Sequence, residues 1–84
     1  MFNDVLGKVK RLMYIANELD SGEIRVSSIA EHLGVSVRTI QRDIQTLESG
    51  GFAISPLARG TYSFVDGFSL KKLNLFDYNV YTLV

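Results

Sequence analysis

Eighty-four residues are enough for one domain and no more, and a domain this small buries only roughly 60–65% of the surface its unfolded chain exposes, so one thin core is expected. The absence of cysteine excludes a disulfide scaffold and a cysteine-ligated zinc site, and a single histidine, His32, leaves no clustered ligand set for another metal; 46% hydrophobic and 21% charged residues exclude a disordered chain. Nine basic residues balance nine acidic ones, which argues against indiscriminate coating of nucleic acid, so any nucleic-acid contact must come from a local patch.

The opening Met-Phe-Asn-Asp lacks the basic stretch and apolar core of a signal peptide. No apolar run approaches the ~20 residues of a membrane span, so a soluble cytoplasmic protein is expected. Residues 4–20 read as a helix, with Val5, Val9, Leu12, Ala16 and Leu19 on one stripe, Asp4 as N-cap and Ser21-Gly22 as the stop. Leu6, Met13, Tyr14 and Ile15 widen its apolar surface. This suggests a central helix, part of whose surface could meet a second subunit.

Glu23 to Val26 alternates and is short enough to be an extended segment or a minimal strand. Residues 26–33 form a second helix, with Ser28 and Glu31 at capping-box spacing and Ile29, Ala30 and Leu33 turned inward. His32 belongs to its surface and is not expected to be a ligand. Gly34 breaks the chain, Ser36 is a suitable N-cap, and a third helix follows over 37–48. Its buried face is Ile40, Ile44 and Leu47, and Ser49-Gly50-Gly51 stops it. Two helices joined by three residues that include glycine are the signature of a helix-turn-helix.

From Phe52 to Val65 the period changes to two. This segment reads as a β-hairpin whose loop runs from Pro56 to Gly60 and carries Arg59. Asp66-Gly67 is a turn. The remainder is hard to assign: Asp77 could cap a further helix, and the apolar finish at Leu83-Val84 points to a tail that packs on something or to a piece of a longer chain. The expected fold is therefore mainly α with a small β-hairpin, a three-helix winged helix-turn-helix over 1–66. Residues 67–84 are expected to be a connector or dimerisation tail leading to a C-terminal domain.

The outward side of the third helix carries the functional signal. Arg38, Gln41, Arg42 and Gln45 lie three, four and seven apart and so share one stripe, away from Ile40, Ile44 and Leu47. Ser36 and Thr39 add hydroxyls near its start. Arginine's planar fork can hold guanine O6 and N7 together or grip a phosphate, and glutamine's amide can pair in two-pronged fashion with adenine. In helix-turn-helix proteins the N-terminal residues of the second helix reach base edges in the major groove. An ordinary solvated helix is the alternative for such a stripe standing alone, but the preceding short helix and glycine turn and the following hairpin favour DNA.

Arg59 at the hairpin tip suits a narrow, electronegative minor groove or a phosphate. Lys8, Lys10 and Arg11 are weaker candidates for phosphate contacts. Asp43 would repel phosphate if it faced DNA, and is expected to pair internally with a nearby arginine such as Arg42 or Arg38 or to cap a neighbouring backbone group. No nucleophile–base pair, metal cluster or phosphate-cradling glycine loop is present in the sequence. No catalytic or metal site is assigned, no cofactor is implied, and the chain is not expected to be an enzyme.

Residues 8–65 resemble the N-terminal winged helix-turn-helix of DeoR-type bacterial regulators, especially those with a C-terminal WYL domain. The resemblance is carried by Ile29-Ala30-Glu31-His32-Leu33-Gly34-Val35-Ser36, Arg38-Thr39-Ile40-Gln41-Arg42-Asp43-Ile44, Leu47-Glu48 to Gly51-Phe52, and Arg59-Gly60-Thr61-Tyr62. It implies sequence-specific binding of double-stranded DNA as a homodimer on paired half-sites. By position it makes Ser36, Arg38, Thr39, Gln41 and Arg42 the groove and phosphate contacts. It further implies that any effector ligand is bound by a following domain, of which Leu70 to Val84 resembles only the connector. A winged-helix module that binds protein instead of DNA is the rival expectation.

Overall fold

The computed structural model describes residues 2–71. Three helices, α1 (Phe2–Ser21), α2 (Val26–Leu33) and α3 (Val37–Ser49), are joined by three strands, β1 (Ile24–Arg25), β2 (Ile54–Ala58) and β3 (Thr61–Phe64). The strands form one antiparallel sheet in the order β1-β3-β2. This is a winged helix-turn-helix, as the alternation of periods predicts. The expectations for residues 72–84, including the Asp77 cap, lie outside the described residues.

The core is a single cluster built on Ile15, Leu19, Val26, Ile29, Ile40, Ile44 and Leu47 from the helices and Ile24, Ile54 and Phe64 from the sheet. Ile40, Ile44 and Leu47 hold the inner face of α3 as expected. On α1 the expected stripe is displaced. Ile15 is fully buried, whereas Val5 and Val9 are exposed. The reason is length: twenty residues make a helix of about 30 Å, longer than the body it packs on, and positions 5–10 are all exposed. Only the C-terminal half of α1 is covered by the other elements.

The helix ends also differ from the local signals. Asp4 falls inside α1, not at its cap. Gly22 stops α1 at φ 157°, outside the left-handed helical region, with its N–H shared between the Glu18 and Leu19 carbonyls. Ser28 is the third residue of α2, and the N-cap position is Arg25, whose side chain makes no capping bond. The first amide of α2 is satisfied from a distance instead: Val26 N–H donates to the Gly60 carbonyl at 2.8 Å. A capping box needs only neighbours in sequence; here a turn over thirty residues away supplies the acceptor, which local spacing cannot reveal.

The helix-turn-helix connection follows expectation closely. Gly34 sits at φ 70°, ψ 31°, the left-handed conformation that favours glycine. Its N–H donates to Glu31 and that of Val35 to Ala30, the paired bonds that close a helix C-terminus. Ser36 then caps α3 by accepting from Thr39 N–H at 3.1 Å, an arrangement worth about 1 kcal/mol.

The hairpin loop is shorter than Pro56–Gly60. Pro56 lies within β2 opposite Tyr62, the register slips between Pro56 and Ala58, and Arg59-Gly60 alone makes the turn. Proline is tolerated because β2 is an edge strand. Phe52, Phe64 and Phe68 close the sheet against the helices, Phe64 and Phe68 meeting edge to face at 4.8 Å. Phe68 and Leu70 pack against the core, and Leu70 N–H donates to an Asp20 carboxylate oxygen at 3.1 Å. The chain beyond the wing is thus returned to the end of α1.

Asp43 is the one buried charged residue among those described, 2% exposed. Its partner is Arg11 of α1, not Arg42, Arg38 or a backbone group. The guanidinium donates from Nε to Oδ2 and from Nη2 to Oδ1, the latter at 3.1 Å. The hydrogen bond to Asp43 raises the Arg11 pKa against the opposing effect of burial, and the carboxylate's charge adds to the rise. A raised arginine pKa contributes stability that is complete below the ordinary arginine range and is lost only above it. Arg11 therefore stays charged throughout the neutral range.

Candidate nucleic-acid interface

The interface is built on α3. Arg38, Gln41, Arg42 and Gln45 are all exposed, and with Val37 they line one open depression on the outer side of the helix. Among the described residues, none of their side chains enters a hydrogen bond or ion pair, so their donors face solvent. The stripe from Arg38 to Gln45 is about 10 Å long at 1.5 Å per residue, which matches about three base pairs at 3.4 Å each.

Ser36 and Thr39 are placed differently. Ser36 is exposed but spends its hydroxyl on the cap, where Ser36 Oγ and Thr39 Oγ1 lie 3.0 Å apart. Thr39 is half-buried. These two order the N-terminal turn of α3, the end at which the helix dipole favours an anion.

The electrostatics explain how a neutral chain can offer a cationic face. Asp43 is turned inward and compensated by Arg11, so it does not oppose phosphate. Glu48 is exposed and falls near Gln41 around the helix, but in the last turn, away from the end that would enter a groove. Lys8 and Lys10 are exposed on the overhanging part of α1. Arg11 is committed to Asp43 and is withdrawn as a phosphate contact.

Arg59 is exposed in the β2–β3 turn. The turn does not hang free: the Val26–Gly60 hydrogen bond ties it to the start of α2, and β1 pairs with β3 through Ile24–Tyr62 and Arg25–Thr61. The wing is therefore joined to the helix-turn-helix at its turn as well as through the core. The same pairing brings Arg25 opposite Thr61, beside the Arg59-Gly60 turn of the wing, a placement that sequence reasoning missed. Only the short alternation Glu23 to Val26 hints at it. Arg25 shares a polar depression with Glu18 and Glu23, which offset its charge, so it is not added to the contact set.

Two features of the surface are apolar. Val5, Leu6, Val9 and Met13 are exposed on α1. Beside them, Val9, Leu12, Met13, Ala16, Leu47, Phe52 and Leu70 line a groove of about 230 Å³. Among the described residues no cluster of side chains could hold a metal ion, and no helix is long and apolar enough to cross a membrane.

A family model described as an HTH domain matches residues 9–60, from the middle of α1 to the wing turn. The chain belongs to this helix-turn-helix family. The match covers every residue of the outer face of α3 and ends on Gly60, so the face and its anchored wing both lie within the family's region. A helix-turn-helix domain of this kind is a DNA-binding regulator domain, typically without enzymatic activity, and its partner is DNA. No curated protein and no solved structure matches the helix-turn-helix chain significantly.

Proposed function

We propose that the chain binds double-stranded DNA sequence-specifically as part of a transcriptional regulator, with α3 in the major groove and the Arg59 turn against the backbone or minor groove. The observation that carries this is the unpartnered stripe of Arg38, Gln41, Arg42 and Gln45 on the recognition helix of a helix-turn-helix domain. The alternation of two fork-shaped cations with two amides supports base reading rather than mere charge attraction. The motifs that resemble DeoR-type regulators with WYL domains support a bacterial, cytoplasmic protein of that kind. Effector sensing then belongs to a domain that follows the wing.

Selection of bound duplexes from a randomised pool tests this. The expected result is a defined site in which each α3 contacts about three base pairs. Affinity for that duplex should fall with salt, with a log–log slope of at least about −2 per subunit, since each neutralised phosphate adds about −0.9. An unenriched pool and an affinity insensitive to salt would favour the rival reading, a winged-helix module that docks on protein through the apolar surface of α1.

The same apolar surface supports a homodimer. Val5, Val9 and Met13 recur every four residues along one exposed face of α1, next to the Leu12–Phe52–Leu70 groove. A second α1 laid along this face would cover it. Sedimentation velocity should then give a dimer that Met13→Glu dissociates, and half-sites spaced by roughly 10 bp or a multiple. A wild-type monomer at high protein concentration contradicts the dimer and leaves the DNA reading standing.

A further inference from the structure

We propose that the Arg11–Asp43 pair is a positioning device that sets the rotation and register of α3 on α1 and so aims the donor stripe, an inference that rests on the DNA-binding reading above. The remaining inward residues of α3 are Ile40, Ile44 and Leu47. Aliphatic burial is non-directional, so a helix held by these alone can turn or slide against its neighbours at little cost. The ion pair is different. It joins residues 32 apart in the chain, engages both carboxylate oxygens with one guanidinium, and lies at a carboxylate that is 2% exposed.

A planar two-pronged contact fixes direction as well as distance. At 100° per residue, Asp43 lies about 150° around the helix from the middle of the Arg38–Gln45 stripe. Holding Asp43 therefore holds the stripe outward. Rotating α3 by one residue would swing the stripe by about 100° and carry Arg38 and Arg42 out of reach of a groove that the wing also contacts. Buried ion pairs contribute little net stability compared with apolar replacements of similar volume, and fixing register is their best-attested use. The arrangement also seals the single acid of the inner face away from DNA phosphates.

The test compares the affinity of the 84-residue chain for a duplex selected from a random pool with its affinity for a scrambled duplex of the same composition. The variant is Arg11→Met/Asp43→Leu, which leaves net charge unchanged. It should unfold cooperatively at or above the wild-type midpoint and keep its affinity for the scrambled duplex. Its ratio of selected to scrambled affinity should fall at least about tenfold, out of the 10³–10⁷ typical of specific binders. Arg11→Lys, which keeps the charge and loses the fork, should lower the ratio severalfold and serves if the double variant does not fold.

A wild-type ratio in the folded double variant, or in Arg11→Lys where the double variant is unfolded, overturns the proposal. So does a parallel fall of both affinities, which is what a purely structural pair would give. A wild-type chain that does not distinguish the two duplexes removes the functional reading itself, and that is seen before any variant is made.

Discussion

Arg42→Ala should weaken binding to the selected duplex roughly five- to 150-fold while leaving the fold intact. The lower bound corresponds to about 1 kcal/mol and the upper to about 3 kcal/mol, the range for one two-pronged side chain on its base. Arg42 is exposed, in the middle of α3, and its side chain makes no hydrogen bond or ion pair with a described residue. Alanine is at least as good a helix former as arginine, so the thermal midpoint should not fall. The loss should be largest for the selected sequence and smaller for a scrambled one, because a phosphate contact alone would weaken both alike. Glu18→Ala, on the exposed side of α1, is the control and should change affinity less than twofold. Equal affinities for the two variants in a fluorescence anisotropy titration would remove α3 as the reading helix.

Arg11→Met should be the most destabilising single change on the surface of α1. It leaves Asp43 buried without a partner, and breaking a buried pair in this way costs about 3–5 kcal/mol. A domain of this size sits low in the usual 5–15 kcal/mol range of total stability. At about 4–8 °C per kcal/mol, the thermal midpoint should drop by roughly 12 °C or more. The neighbouring Lys10→Met, at an exposed position with no buried partner, should stay within about 0.5 kcal/mol of wild type. Scanning calorimetry on the two variants decides it: similar midpoints would mean that the Arg11–Asp43 pair carries no weight.

These two residues also mark what local sequence could and could not reveal. The helix-turn-helix was legible because its signals are local: Gly34 in the left-handed conformation, Ser36 three residues before the amide it caps, and Ile40, Ile44 and Leu47 at helical spacing. The donor stripe follows from the same periodicity, since a helix whose inner face is known has its outer face known too. What stayed hidden depends on contacts distant in sequence. That Asp43 takes an arginine partner is readable from the sequence, but helical spacing points to Arg38 or Arg42 on its own helix, whereas the partner is Arg11 on α1. The amide of Val26 is capped by Gly60, and no spacing rule joins those two positions. Val5 and Val9 follow the same period as Ala16 and Leu19, yet periodicity cannot tell where the rest of the body stops, and the first turns of α1 extend past it. Proline's missing donor restricts Pro56 to a strand end or an edge, and only the strand order β1-β3-β2 shows that it lies within an edge strand and not in the loop between the strands.

The proposed dimer face and the proposed DNA face lie on different elements. Val5, Val9 and Met13 belong to α1, and Arg38 to Gln45 belong to α3, with Arg59 on the wing. Duplex and second subunit need not compete for surface, and substitutions on one face can be separated from those on the other.

The most direct measurement is an NMR titration of the isotope-labelled chain with the selected duplex, followed at the backbone amides and the Arg and Gln side-chain groups. The largest shifts should fall on Arg38, Gln41, Arg42 and Gln45, with a second set at Arg59 and Gly60 and little change at Val5 or Met13. Shifts concentrated on α1, with the α3 side chains unmoved at saturation, would contradict the assignment of α3 as the helix that meets DNA.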